Sequence, residues 1–86
     1  MPWDVRISAR GERDLARLPR NERDAVLRAL RRLSVDFSAL DTAKLAGGGN
    51  RWRMRVGHWR VIMELDNASG TALVARVVAR KDAYRD

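Results

Sequence analysis

Apolar and basic residues alternate along residues 51–56, which read Arg-Trp-Arg-Met-Arg-Val. Successive side chains of a β-strand point to opposite faces, so this alternation predicts a strand with one apolar face and one arginine face. Residues 59–65 continue the alternation, and the intervening Gly57-His58 suits a two-residue type II′ turn. The pattern therefore predicts a β-hairpin in which Arg55 lies directly opposite Arg60. Like charges facing each other across a ladder are destabilising, which indicates that this face holds a polyanion.

Two segments before the hairpin have helical patterns. Ser8 suits a helix N-cap, and the segment from Ala9 to Leu18 is predicted to be helical until Pro19 ends it. From Asn21 to Val35, apolar residues recur three and four positions apart, as in an amphipathic helix. Because the connection between the two helices is short, we expect them to form an antiparallel helical hairpin.

The remaining segments predict strands and loops. A first strand is expected at about residues 3–8, and another at 71–78, after a turn-forming sequence at 66–70. Residues 37–50 are the least regular stretch. The predicted order is β-α-α-β-β-β, an α+β fold in which the N-terminal helical hairpin packs on one face of a small antiparallel sheet. Residues 1–86 would form a single domain, with the arginine face of its sheet open to solvent.

The composition narrows the functional classes. The 86 residues carry a formal charge of +7 and contain no cysteine, which excludes disulfides and thiolate metal sites and fits a reducing cytosol. The apolar runs are too short to cross a bilayer, and the first residues lack the apolar region of a secretory signal. We therefore expect a cytoplasmic protein with no membrane partner.

The charge is concentrated in the second half of the chain. Residues 44–86 carry nine Lys and Arg against four acidic residues, and arginine accounts for 16 of the 18 basic residues overall. Guanidinium binds phosphate in a bidentate way and stacks on bases, so nucleic acid is one partner that fits. An acidic protein fits the charge equally well.

Neither a nucleotide cradle nor a metal site is predicted. Gly47-Gly48-Gly49 lacks the Lys-Ser/Thr ending of a P-loop and the spacing of a dinucleotide fingerprint. The sequence offers no convincing set of His, Cys and carboxylate ligands, so no metal and no cofactor are expected.

Four segments, in this order, resemble one known family. Residues 13–19 are similar to a first helix ending in Leu-Pro, and Lys44-Leu45, separated by one residue from the glycines at 47–49, resembles a loop before a strand of the sheet. Residues 53–62 resemble a central Arg-x-Arg-x-Gly-x-Tyr-Arg hairpin, and residues 80–84 resemble a C-terminal Arg-x-x-x-Tyr. Together they resemble the RelE/ParE superfamily of toxins from type II toxin–antitoxin systems.

The resemblance implies a function and a set of site residues. RelE-like members cleave mRNA in the ribosomal A site, and this branch is favoured because every active-site position holds a usable residue. The implied catalytic residues are Arg53, Arg55, Arg60, Arg80 and Tyr84. The surface expected to bind RNA around them comprises Lys44, Arg51, Arg76 and Lys81.

The implied reaction is attack by a ribose 2′-OH on the adjacent phosphate, which needs no metal. Fixed guanidinium groups would stabilise the negative charge of the transition state. Arginine stays protonated and is a poor general base, and some relatives have lysine where Arg53 and Arg55 stand. Tyr84 would donate a proton to the leaving group or stack on a base. His58 is expected to be a solvated turn residue, and Ala79 stands where many relatives have histidine.

Simpler interpretations stand beside these roles. Arg51 would pair with Glu64 across the hairpin, while Trp52 and Trp59 share the core side of their strands and are expected to pack. Arg76 would either extend the basic face or bind the antitoxin. Arg10, Arg13, Arg17, Arg28, Arg31 and Arg32 are expected to be solvated positions on the helices.

The resemblance also implies partners. These are a ribosome with its mRNA and a cognate antitoxin, short and acidic with a DNA-binding N-terminal half, through which alone the toxin would reach operator DNA. Two alternatives stay open. A ParE-like toxin inhibits DNA gyrase without nuclease activity, and a catalytically weakened relative would act as a binding module.

Overall fold

Two α-helices lie on one face of a five-stranded mixed sheet, in a computed structural model that describes residues 3–37, 40–45 and 49–82. The helices are α1 (Ala9–Ala16) and α2 (Arg20–Val35). The strands are β1 (Asp4–Ile7), β2 (Thr42–Lys44), β3 (Arg51–Val56), β4 (Trp59–Asp66) and β5 (Thr71–Ala79), and a 3₁₀ turn follows at Arg80–Asp82. The predicted α+β class, with a helical hairpin on one face of the sheet, is confirmed.

The sheet differs from the prediction in two respects. The strand order is β1-β5-β4-β3-β2, and β1 runs parallel to β5 while the other neighbouring pairs are antiparallel. Strand β2 falls in the stretch that showed no regular pattern, because three residues are too few for an alternation to be visible. The pairing of the first strand with the last joins residues almost seventy positions apart, so no local pattern indicates its direction.

The core lies between the helices and the apolar side of the sheet. The helices contribute Leu15, Leu18, Val26, Leu30 and Leu33, and the strands contribute Met54, Val61, Met63, Leu65, Ala72, Val74 and Val77. Trp52 and Trp59 are half-buried and pack against this core, as their strand positions predicted. Burying one face of the hairpin in this way fixes the opposite face as the one that carries Arg53, Arg55 and Arg60.

Helix α1 is fastened to the edge of β5. Ser8 is its N-cap, as predicted, since the Ser8 hydroxyl accepts a hydrogen bond from the Gly11 amide at 3.0 Å. The same hydroxyl donates to the Ala75 carbonyl at 3.1 Å. A Cβ at Gly11 would lie only 2.8 Å from the Val74 carbonyl oxygen, so glycine permits the close approach of helix and strand.

Candidate functional site

The β3–β4 hairpin has the predicted register. Val56 pairs with Trp59, and Arg55 lies directly opposite Arg60. Gly57 has a φ of 57°, whereas no residue other than glycine has a positive φ in the described part of the chain. A left-handed residue at the first loop position only is the geometry of a type II′ turn. The turn therefore aligns the two arginines as the sequence indicated.

Arg60 is buried, contrary to the expectation that the arginine face is open. Its side chain is on the central strand, with β3 and β5 on either side, and the residue is only 4% exposed. Its Nη1 donates to the Gly57 carbonyl at 3.1 Å and to the Trp59 carbonyl at 3.0 Å. Its Nε is buried and has no hydrogen-bond partner among the described residues. The alternation along a strand shows which face a side chain occupies but not whether other groups cover that face. The burial of Arg60 could therefore not be predicted from the sequence.

The middle of the arginine face is covered more generally. Ile62, two positions beyond Arg60 on the same side of β4, is 5% exposed and lies outside the main core. The face is thus accessible at its margins, where Arg55 and Arg80 are exposed. The four arginines Arg53, Arg55, Arg60 and Arg80 therefore do not form a solvated row.

Arg55 has a partner within the chain. Its Nε lies 2.7 Å from Asp41 Oδ2, and both side chains are more than half exposed. The charge repulsion between Arg55 and Arg60 is therefore relieved locally, by Asp41 on one side and by the carbonyls of the turn on the other. The opposed arginines do not by themselves require a bound polyanion.

The neighbouring basic residues are divided between the two faces of the sheet. Arg53 is half-buried and opposite Ile62, and Arg51 is exposed and lies opposite Glu64, which is the predicted register. The ion pairs between described residues do not include one between Arg51 and Glu64. Lys44 is exposed but pairs with Trp52, so it shares the helix side of the sheet. The register thus places Lys44 on the face of the sheet opposite the arginines, away from the RNA-binding surface that the sequence predicted.

The hairpin turn meets the start of the C-terminal segment. The Arg80 amide donates to the His58 carbonyl at 2.9 Å. A shallow open depression of about 490 Å³ is lined by His58, Ala79, Arg80 and Lys81. His58 is exposed at the turn, as expected. Tyr84, the predicted proton donor, lies outside the described residues, as do Gly47 and Gly48 of the glycine-rich loop.

Arg76 is held at the edge of the sheet. Its Nε donates to Asp14 Oδ2 at 2.7 Å, and the same carboxylate oxygen accepts from the Val77 amide at 2.9 Å. Burial alone would raise the pKa of Asp14, but the hydrogen bonds from Arg76 and Val77 and the nearby positive charges bring that pKa below its ordinary value. No local pattern indicates this contact, because it joins residues 62 positions apart.

Within residues 3–37, 40–45 and 49–82, no group of three or more His, Cys, Asp or Glu side chains could hold a metal ion. The described helices include none that is long and apolar enough to cross a membrane.

Solved structures share this architecture. A chain of the toxin–antitoxin complex RelBE2 from Mycobacterium tuberculosis matches with a TM-score of 0.82 and 26% identity, over 93% of this chain and 100% of that one. The archaeal RelE–RelB complex from Pyrococcus horikoshii gives 0.81 and 24%, over 96% and 100%. The free toxin RelE of Escherichia coli, in a variant with two arginines replaced by alanine, gives 0.75 and 16%, over 99% and 90%. The last two likenesses establish the fold alone, which is that of a RelE-like toxin.

A family model agrees with this class. The model described as the ParE toxin of type II toxin–antitoxin systems (parDE) matches residues 5–84. The chain belongs to this family of toxins, within the RelE/ParE superfamily that its motifs resemble. No curated protein sequence matches the chain.

Proposed function

We propose that this toxin is a ribosome-dependent mRNA endonuclease that arrests translation in the cytoplasm. The observation that carries the proposal is the junction between the hairpin turn and the C-terminal segment, where Arg80 bonds to His58 through the backbone. This junction brings exposed Arg80 beside the hairpin that bears Arg55 and Arg60, which are three of the positions matching the nuclease motif. The likeness to RelE structures supports the same branch.

The proposed chemistry is an internal transesterification. The ribose 2′-hydroxyl loses its proton to water as its oxygen bonds to the adjacent phosphorus, the bond to the 5′-oxygen breaks, and the products are a 2′,3′-cyclic phosphate and a 5′-hydroxyl. Arg80 and Arg55 would contact the phosphate and stabilise the charge that grows on its oxygens. Tyr84 would donate a proton to the leaving 5′-oxygen. The ribosome together with the toxin would hold the 2′-oxygen in line with the leaving 5′-oxygen. Because arginine stays protonated, none of these guanidinium groups would take the proton of the 2′-hydroxyl.

The burial of Arg60 assigns it a different part in the proposal. Its hydrogen bonds to the carbonyls of Gly57 and Trp59 hold the turn, and through His58 the turn holds Arg80. Arg60 would thus be a positioning residue. The RNA strand on either side of the scissile phosphate would be bound by Arg53, Arg51 and Lys81. Lys44, on the helix side of the sheet, and Arg76, held by Asp14, would contribute less to RNA binding.

The proposed partners are the ribosome with its mRNA and a cognate antitoxin. The RelE chains in the matched complexes from M. tuberculosis and P. horikoshii are bound to their RelB antitoxins. A short acidic antitoxin would neutralise the charge of +7 and carry the toxin to operator DNA.

The proposal is tested by inducing the toxin in growing cells and mapping mRNA ends by primer extension. The wild type is expected to arrest growth and to leave cuts in phase with codons. Arg80→Ala should reduce the cleavage rate by roughly 100-fold, as expected when one donor to a transition-state oxyanion is lost. Arg17→Ala, an exposed arginine just after α1, is the matched control and should cut normally. Unchanged cleavage by the Arg80 variant would contradict the assignment.

Gyrase inhibition is the second candidate, because the matching family model is that of the ParE toxin. In that case the basic margin of the hairpin would bind protein instead of RNA. Purified toxin should then block supercoiling by gyrase, and induced cells should show DNA damage with intact mRNA.

A further inference from the structure

A second basic surface lies at the C-terminal end of α2, on a different element from the arginine face of the hairpin. Arg28, Arg31, Arg32, Val35 and Asp36 line an open depression of about 510 Å³. Val35 is 75% exposed, and no other large apolar side chain is exposed in the part of the chain that the structure describes. Arginine is enriched at protein interfaces, so three guanidinium groups beside an aliphatic side chain suit the docking of another protein.

The three arginines crowd one another. Arg28 is three positions from Arg31 and four from Arg32, so their side chains are neighbours on the helix surface, where like charges are unfavourable. Among the described residues, no carboxylate lies within ion-pair distance of any of the three. Arg32 lies in the last turn of α2, where the partial negative charge of the helix C-terminus stabilises it. Arg28 lies about two turns before the end of the helix, beyond the reach of that effect. The cluster is therefore suited to an acidic group supplied from outside.

We propose that this surface binds an acidic segment of the antitoxin, with an aliphatic side chain packed against Val35. The inference rests on the proposed function, in which an antitoxin neutralises this toxin. Three guanidinium groups against the single carboxylate of Asp36 leave the surface positive, which is complementary to an acidic chain.

RNA fits this surface less well than an acidic protein segment. The phosphate backbone would satisfy the arginines but would leave Val35 without an apolar partner. Successive bases stack chiefly on aromatic side chains in proteins that bind single strands, and the lining residues include none. An acidic segment with an aliphatic anchor satisfies both the arginines and the valine.

The test measures the affinity of the purified toxin for the purified product of the neighbouring reading frame. Arg31→Glu should weaken binding by about tenfold or more and Val35→Ser by roughly three- to tenfold, because one removes the charge match and the other the apolar anchor. Arg13→Glu, an equal charge change at an exposed position of α1, is the matched control and should bind within about twofold of wild type. All four proteins should arrest growth when expressed without the antitoxin.

The outcomes separate the two proposals. One outcome is that the wild type arrests growth and binds the product of the neighbouring reading frame while Arg31→Glu and Val35→Ser bind it equally well. In that case the antitoxin does not dock on this surface, and the proposed function stands. If Arg31→Glu loses toxicity while keeping wild-type affinity for the antitoxin, the surface binds RNA and the inference is overturned. If the wild type neither arrests growth nor binds the product of the neighbouring reading frame, the proposed function fails and the inference fails with it.

Discussion

Asp14 and Arg76 join the first helix to the last strand through a single carboxylate. Asp14 Oδ2 lies 2.7 Å from Arg76 Nε and 2.9 Å from the Val77 amide nitrogen, and the Asp14 side chain is only 10% exposed. A nearly buried carboxylate that accepts three hydrogen bonds is expected to matter for stability much more than an exposed ion pair.

Asp14→Asn should therefore lower the free energy of unfolding by about 2 kcal/mol, the range expected for hydrogen bonds to a charged group. Urea denaturation at pH 7 measures this change. Asp4→Asn is the control, because the ion pair of Asp4 with Arg6 is largely exposed and should contribute little. Equal effects of the two substitutions would contradict the importance given to the Asp14 contact.

The lowered pKa of Asp14 also predicts a pH dependence. A carboxyl group whose pKa is lower in the folded than in the unfolded state contributes stability that is present above the unfolded value, near 3.8. That contribution is lost as the pH falls through the folded value. The stability difference between wild type and Asp14→Asn should thus be constant from pH 7 to about pH 5 and shrink below pH 3.8. A difference that grows on acidification would have the wrong sign.

Gly11 lies inside a helix, yet replacing it with alanine should destabilise the protein. Helix propensity alone favours alanine by about 1 kcal/mol. The added Cβ, however, would lie 2.8 Å from the Val74 carbonyl oxygen, which is backbone and cannot turn away. We expect a net loss of about 1 kcal/mol, since overpacking typically costs more than the propensity gain. Thermal unfolding of Gly11→Ala measures the balance, and a higher melting temperature would show that α1 can shift away from β5.

The two opposed arginines of the hairpin should behave differently on truncation. Arg60→Ala removes a buried side chain and two hydrogen bonds to turn carbonyls, so the free energy of unfolding should fall by about 2–3 kcal/mol. Arg55→Ala removes a side chain that is 59% exposed and should change stability by less than about 1 kcal/mol. Chemical denaturation of the two variants compares them directly. Similar losses would mean that Arg60 is not held as the structure indicates.

The local features of the fold could be predicted from the sequence because short segments determine them. The register of Arg55 with Arg60 follows from alternation and from one glycine, and the N-cap at Ser8 follows from a side chain that can reach back into its own helix. The first helix ends at Ala16, two residues before the predicted end, and Leu18 beyond it is buried in the core.

The contacts that shape the candidate site depend on residues distant in the sequence. Asp41 reaches Arg55 from a stretch without a recognisable pattern, and Asp14 reaches Arg76 from another layer. The sequence identified which side of β4 Arg60 occupies but not the groups that cover it. Tertiary packing decides both questions, and the alternation of side chains carries no information about it.

The anchoring of α1 has a consequence for how the molecule meets other chains. Beyond the four residues paired with β1, strand β5 would present free backbone groups, but the Ser8 hydroxyl occupies the Ala75 carbonyl and Asp14 occupies the Val77 amide. A foreign extended peptide would have to displace both contacts to pair with this stretch of β5, so edge-to-edge aggregation is disfavoured along that margin of the sheet. A binding partner that adds a strand of its own would have to do so elsewhere.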